Sequence, residues 1–304
     1  MIDRLVEGAR ADGSWGYQPG AAASAEPTAM VALALAAHGK EGRLLSKSLE
    51  WLVTLQRGDG AVPVLPALAS PCWPTALALL AWLRAGGGHS GPFAAQTKLA
   101  TSWLVNAHGV PVHTGAAYFG HDTALIGWPW VRETHSWVEP TAYAVLGLCA
   151  AGARAHSRVR QGVRLLLDRA LPNGGWNYGN TRVFDNVLRP FPAPSGAALA
   201  ALAGEPADQR IDRSIEYVEH ELRRVRSPFS LGWGLIGLAA WGARPQTSDR
   251  WLAESAARTF ERFPLGPNHL YDAVLLLADA RDWLATLGRP RAGAWGSDRL
   301  VRFG

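Results

Sequence analysis

Two kinds of segment alternate along the chain. The first is apolar on nearly every side: EPTAMVALALAAHG (26–39), WPTALALLAWLRAGG (73–87), EPTAYAVLGLCAAG (139–152), APSGAALAALAG (193–204), SPFSLGWGLIGLAAWG (227–242) and GPNHLYDAVLLLADA (266–280). An all-round apolar helix of this length predicts burial on every side. Each starts at a proline (Pro27, Pro74, Pro140, Pro194, Pro228, Pro267), which suits the first helical position because its missing N–H has no intrahelical partner there. Glycines at 39, 86, 152 and 242 predict left-handed caps at four of the far ends.

The second kind is amphipathic: LLSKSLEWLVTLQ (44–56), AAQTKLATSWLVNAH (94–108), RVRQGVRLLLDRAL (158–171), QRIDRSIEYVEHELRRV (209–225) and SDRWLAESAARTFERF (248–263), with MIDRLVEGAR as a shorter sixth. Apolar residues recur three and four positions apart and charges occupy the other face. Six buried helices alternating with six amphipathic ones predict an all-α fold, an (α/α)6 barrel of two concentric rings. A closed ring needs no polar end-capping repeats and none is visible; an open solenoid uses the same alternation. We expect one barrel domain spanning 1–304, with a core of about 1–285 and a tail at 286–304. The turns ADGSWGY (11–17), QRGDGAVPV (56–64) and LPNGGWNYG (171–179) put Gly, Asp or Asn at a tight bend, usually followed by Trp.

Composition sharpens this picture. Of 304 residues, 48% are hydrophobic and 18% charged, which excludes a disordered chain, and the 14 tryptophans must fill a wide interior or line a cavity. The net charge of +5 and pI near 9.5 fit an anionic surface or ligand, or simply an Arg-rich exterior. Basic residues cluster only in RRVR (223–226), on an outer helix, and no basic–aromatic nucleic-acid motif occurs. Cys72 and Cys149 sit in apolar runs, as small core residues do. The N-terminus carries acids early and lacks a long apolar stretch, and no run reaches the ~18–20 residues of a membrane span. We expect a cytoplasmic protein, with contact at a membrane surface left open.

The helix–Gln–Gly–Trp grammar of SLEWLVTLQRGDGAVPV and RLLLDRALPNGGWNYG is similar to the repeats of squalene–hopene and oxidosqualene cyclases. SPCWPTALALLAWLRAGG and VEPTAYAVLGL resemble the inner helices of those enzymes and of protein-prenyltransferase β subunits. The resemblance spans about 1–285 as a single barrel. It implies acid-initiated cyclisation or isomerisation of an isoprenoid or similarly apolar substrate, without cofactor or metal. Laid over the cyclases' D-x-D-D-T-A motif, WVEPTA puts Glu139 at the proton-donating acid, with Trp137 and Pro140 replacing flanking acids. The prenyltransferase zinc site is not assembled: His269 matches its last ligand, but no D-x-C pair occurs.

Candidate chemistry therefore centres on Glu139, with His135 as a hydrogen-bonding partner that tunes it and Asp272 as a second acid inside an apolar run, paired with His269 one turn earlier. Ring faces of Trp73, Trp128, Trp130, Trp137, Tyr143 and Trp233 are candidates to line the cavity and stabilise a cation. The long loop 177–192 brings Arg182 and Arg189 as candidates for an anionic group over the mouth, or as solvated loop charges. His113, His121 and Asp122 in a second long loop match no metal-ligand spacing. Glu26, in the matching tetrapeptide, reads as a helix-start residue, because it lacks the Trp-His-Trp approach of Glu139. The alternative from another class is a non-catalytic barrel that binds an isoprenoid lipid or a protein.

Overall fold

The structure is a computed structural model that describes residues 1–40, 42–112, 119–262 and 268–280. Twelve α-helices occur among the described residues: α1 (Ile2–Glu7), α2 (Ala25–Ala37), α3 (Arg43–Leu55), α4 (Thr75–Ala85), α5 (Ala94–Asn106), α6 (Val138–Ala150), α7 (Ser157–Asp168), α8 (Pro192–Ala201), α9 (Gln209–Leu222), α10 (Pro228–Ala240), α11 (Ser248–Arg262) and α12 (His269–Asp279). His113, Pro267 and the tail 286–304 lie outside the described residues.

The apolar helices form the inner ring in chain order. α2 packs on α4, α4 on α6, α6 on α8, α8 on α10, α10 on α12, and α12 returns to α2. The ring is closed, which an open solenoid is not. Its outer layer is α1 against α12, α3 against α2 and α4, α5 against α4 and α6, α7 against α6, α9 against α8 and α10, and α11 against α10 and α12. Burial follows the sequence pattern: all of Ala25–Leu35 in α2 is buried, whereas α3 buries Leu45, Ser48, Leu49, Trp51, Leu52 and Leu55. The tightest approach is between α8 and α10, where a Cβ on Gly196 would run into the carbonyl of Trp233.

Helix starts differ from the expectation in register. Pro27, Pro140 and Pro194 are the third residues of α2, α6 and α8, and Pro74 precedes α4; only Pro228 is a first residue. The physical reason is that the whole first turn has free N–H groups, so proline is tolerated anywhere within it. Glu26 and Glu139 consequently lie inside their helices, at the second position. At the other ends, Gly39, Gly152 and Gly242 take φ of 63°, 78° and 67°, and the next amide in each case reaches back to Leu35, Leu148 or Leu238. That is the Schellman closure, which needs a residue able to adopt positive φ. Gly86 does not follow: its φ is −104°, and the left-handed residue is Gly87.

The third residue of the tetrapeptide has a role of its own. The hydroxyls of Thr28, Thr75, Thr141 and Ser195 accept from the amides of Trp15, Val62, Trp128 and Trp176 at 3.0, 2.8, 3.0 and 2.8 Å. Each hydroxyl also lies 3.3–3.5 Å from the carbonyl of the same residue. Where the turn residue is Trp, its indole N–H donates to a free carbonyl near the end of an outer helix: Trp15 to Leu5, Trp128 to Leu104 and Trp176 to Leu166. In these three repeats an inner helix start, a turn and an outer helix end are pinned to one another. Loop 177–192 is a two-stranded hairpin, β1 (Arg182–Val183) against β2 (Asn186–Val187), turned at Phe184 and Asp185, both at positive φ.

Polar links join the chain's beginning to its end. The Asp272 carboxylate, fully buried on α12, takes a two-pronged ion pair from Arg4 of α1 at 2.9 and 3.1 Å. The His269 amide donates to the Tyr17 carbonyl, and the His38 ring lies 2.9 Å from the Leu276 carbonyl.

Candidate active site at the mouth of the barrel

All inner helices start at one end of the ring, so their positive dipole ends converge there. Two carboxyls are buried at this mouth: Glu139 on α6, 6% exposed, and Glu26 on α2, 9% exposed. A helix N-terminus favours carboxylate, by about 0.3–1 kcal/mol in exposed settings. Burial works the other way and wins: both acids are pushed up to about 7 from the usual 4.5. For Glu139 the negative charge of Glu26 adds to the effect of burial. Glu26 instead accepts a 2.6 Å hydrogen bond from the Tyr17 hydroxyl, which favours its ionised form. The phenol thus favours ionised Glu26, and that charge in turn favours protonated Glu139. Both acids therefore titrate close to neutral pH, Glu26 with a phenol to steady its carboxylate and Glu139 with the charge of Glu26 set against its own.

Aromatic rings gather next to the acids. Tyr143, one turn beyond Glu139 on α6, is buried, and burial together with the charges of Glu139 and Glu26 holds its phenol well above the usual range. Its ring lies 5.2 Å from Trp233 of α10, 6.0 Å from Trp73 and 6.5 Å from Trp130, while Trp73 and Trp130 meet edge to face at 4.8 Å. The buried indole N–H of Trp233 has no hydrogen-bond partner. Trp73 and Trp130 also border a cavity of about 400 Å³ that runs between α4, α5 and α6, with Ala76, Pro140 and Ala144 in its wall.

Other candidates lie elsewhere. Trp128 borders the same cavity, but its N–H is taken by Leu104 and the Arg158 guanidinium sits 4.1 Å over its ring. His135 is exposed and stacks on Trp137 at 4.5 Å; no hydrogen bond joins it to Glu139, because Trp137 carries the intervening chain away from the α6 start. Its imidazole is held below the usual range by partial burial and by Arg169. Asp272 is not paired with His269 as the sequence suggested: Arg4, 268 residues away, takes both of its oxygens. His269 turns its Nδ1 to the Gly16 carbonyl at 2.8 Å and its Nε2 against Gly8, under the end of α1. Arg182 lies 3.9 Å from Asp185 within the hairpin, and Arg189 is exposed. Among the described residues no three His, Cys, Asp or Glu side chains gather as metal ligands, and no helix is long and apolar enough to cross a membrane. Sequence reasoning missed Tyr17 and underrated Glu26. The available signal was Glu26's matching position in the repeat, since equivalent positions of a closed ring face one mouth.

Solved structures with the same architecture include a protein from Actinoplanes (TM-score 0.59, 16% identity, 93% of this chain and 97% of that one). The type II terpene cyclase MstE from Scytonema aligns at TM-score 0.58 and 17% identity over 93% of this chain and 95% of its own. The fold is that of the type II terpene cyclases. The ent-copalyl diphosphate synthase from Streptomyces platensis matches over 84% of this chain and half of its own length, at TM-score 0.55 and 19% identity. A glycosidase variant aligns equally well, at TM-score 0.58 and 12% identity over 94% of this chain, so the toroid hosts more than one chemistry. No protein-family model and no curated sequence matches the chain.

Proposed function

We propose that the protein is a terpenoid-cyclase-like enzyme in which Glu139 starts the reaction by protonating an isoprenoid or similarly apolar substrate. The observation that carries this reading is the buried pair at the mouth. Burial and the charge of Glu26 push Glu139 up to about 7, so a protonated fraction persists at neutral pH. A general acid works best with a pKa close to the working pH. The proton moves from Glu139 to one alkene carbon of the substrate. The tertiary cation left on the neighbouring carbon is attacked by a second alkene, and loss of a proton or capture of water ends the sequence.

The rings of Trp73, Trp130, Tyr143 and Trp233 supply negative faces to a passing cation. Asp272 serves ring closure in this reading, since its charge is neutralised by Arg4. Support from relatives is limited to fold and to the substrate class of one of them: a variant of MstE has been seen with geranylgeranyl dihydroxybenzoate as its substrate, an isoprenoid on an aromatic acid.

The test is turnover of isoprenoid alcohols and diphosphates by wild type and Glu139→Gln. Cyclised product from wild type and loss of at least a hundredfold in the variant are expected, the scale of a general acid's contribution. Equal turnover by the two proteins would remove Glu139 from the mechanism. Tight binding with no conversion by either would favour a non-catalytic isoprenoid carrier.

A further inference from the structure

A second pocket lies outside the mouth. It has a volume of about 140 Å³, and Val110, Val112, Phe119 and Leu125 line it together with Arg169 and His121. Arg169 follows directly on α7 and is only 5% exposed. Its Nη1 donates to the Gly179 carbonyl at 2.8 Å, but its buried Nε has no hydrogen-bond partner. The nearest carboxylate, Asp168, is 3.7 Å from that Nε and accepts instead from the Asp122 amide at 3.0 Å. A buried guanidinium that lines a pocket and leaves one of its N–H groups without a partner suits an oxyanion, which takes charge-assisted hydrogen bonds from it.

The surroundings fit the same ligand. Burial pushes Arg169 down only to about 10, so it is charged at neutral pH. His121, 7% exposed, is pushed down to about 4, by burial first and then by the Arg169 charge, and His135 is lowered for the same two reasons. Both imidazoles are therefore neutral at neutral pH and add no second positive charge to the lining. Asp122 and Asp168 are the acids near this group, and Asn180 adds an amide to the lining. The volume is that of roughly four or five waters, enough for one carboxylate or phosphate with a short stretch of hydrocarbon. A cation would meet Arg169, and a wholly apolar ligand would leave its guanidinium without a counter-charge in the pocket.

We propose that this side pocket binds an oxyanion, a carboxylate or a phosphate monoester, carried on an apolar stem, with Arg169 as its principal ligand. The site stands whether or not Glu139 donates a proton. It also adjoins the mouth through one side chain: Trp137 stacks on His135, and Gly179, held by Arg169, packs against the same indole.

Calorimetric titration of the full chain at neutral pH with octanoate, octyl phosphate, octanol and inorganic phosphate tests the proposal, with the imidazole signals of His121 and His135 followed by NMR. Octanoate or octyl phosphate should bind at least tenfold tighter than octanol and than inorganic phosphate. The bound anion should raise the His121 pKa by at least one unit, and Arg169→Met should abolish the preference for the anion. Octanol binding as tightly as the two anions, or a His121 titration unmoved by them, would overturn the site. Inorganic phosphate binding as tightly as octyl phosphate would overturn the stemmed ligand. The wild-type comparison needs no variant, so it decides the matter even if Arg169→Met does not fold.

Discussion

Glu26 and Glu139 occupy the same position in two repeats, yet one hydrogen bond makes them different. Removing the donor, in Tyr17→Phe, takes away what favours ionised Glu26, so the proton should shift towards Glu26 and the Glu139 pKa should fall. Infrared titration of the carboxyl bands, compared with Glu139→Gln, reads this directly. Stability carries the same signature. A carboxyl that titrates near 7 when folded and near 4.5 when unfolded binds more protons in the folded state between those values. Its stabilising contribution is complete below about 4.5 and is lost as the pH rises through 7, by about 3 kcal/mol for each acid. Thermal unfolding of the wild type should therefore fall in midpoint from pH 5 to pH 8, and Glu139→Gln should flatten that slope. A slope unchanged by the substitution would show that Glu139 is ionised throughout. The sequence made Glu139 visible through its neighbours. It did not show that His135 turns aside into another pocket, because ring composition says nothing about which way a turn faces.

At the scale of elements, the repeat is a hydrogen-bonding device before it is a catalytic motif. The alternation of apolar and amphipathic runs was enough to place the helices, and the Pro grammar was enough to place their starts within one or two residues. The hydroxyl of the tetrapeptide was not assigned from sequence, although Thr28, Thr75, Thr141 and Ser195 all carry it. Thr141→Val keeps the shape but leaves the Trp128 amide buried without an acceptor, which costs about 1–3 kcal/mol. Thr141→Ser retains the acceptor and should lie within about 1 kcal/mol of wild type. Urea unfolding of the two variants distinguishes this from simple loss of a methyl contact, for which Ser would be the worse replacement. Arg169 was equally hidden, as one more basic residue at the end of an outer helix whose charges otherwise face solvent.

The whole molecule depends on joining α12 to α2, and the contacts that do so link residues some 240–270 positions apart, beyond the reach of any local pattern. Asp272 looked like a buried acid in search of a partner one turn away, and the partner lies on α1 instead. Taking away one member of a buried ion pair leaves the other charge stranded, at about 3–5 kcal/mol where burial is complete; the partly exposed Arg4 places Asp272→Ala nearer the lower figure. The double variant Arg4→Met, Asp272→Leu should recover most of that loss in denaturant unfolding, and no recovery would mean that closure rests on other contacts.

The closed toroid in turn fixes the mouth in which Glu26, Tyr17 and Glu139 meet, and in the proposed reaction Glu139 delivers a proton there. Turnover in D2O tests it most directly, with mass spectrometry of the cyclised product. One non-exchangeable deuteron is expected in each product molecule from wild type, and no labelled product from Glu139→Gln. Product without deuterium, or equal labelling by the variant, would contradict it.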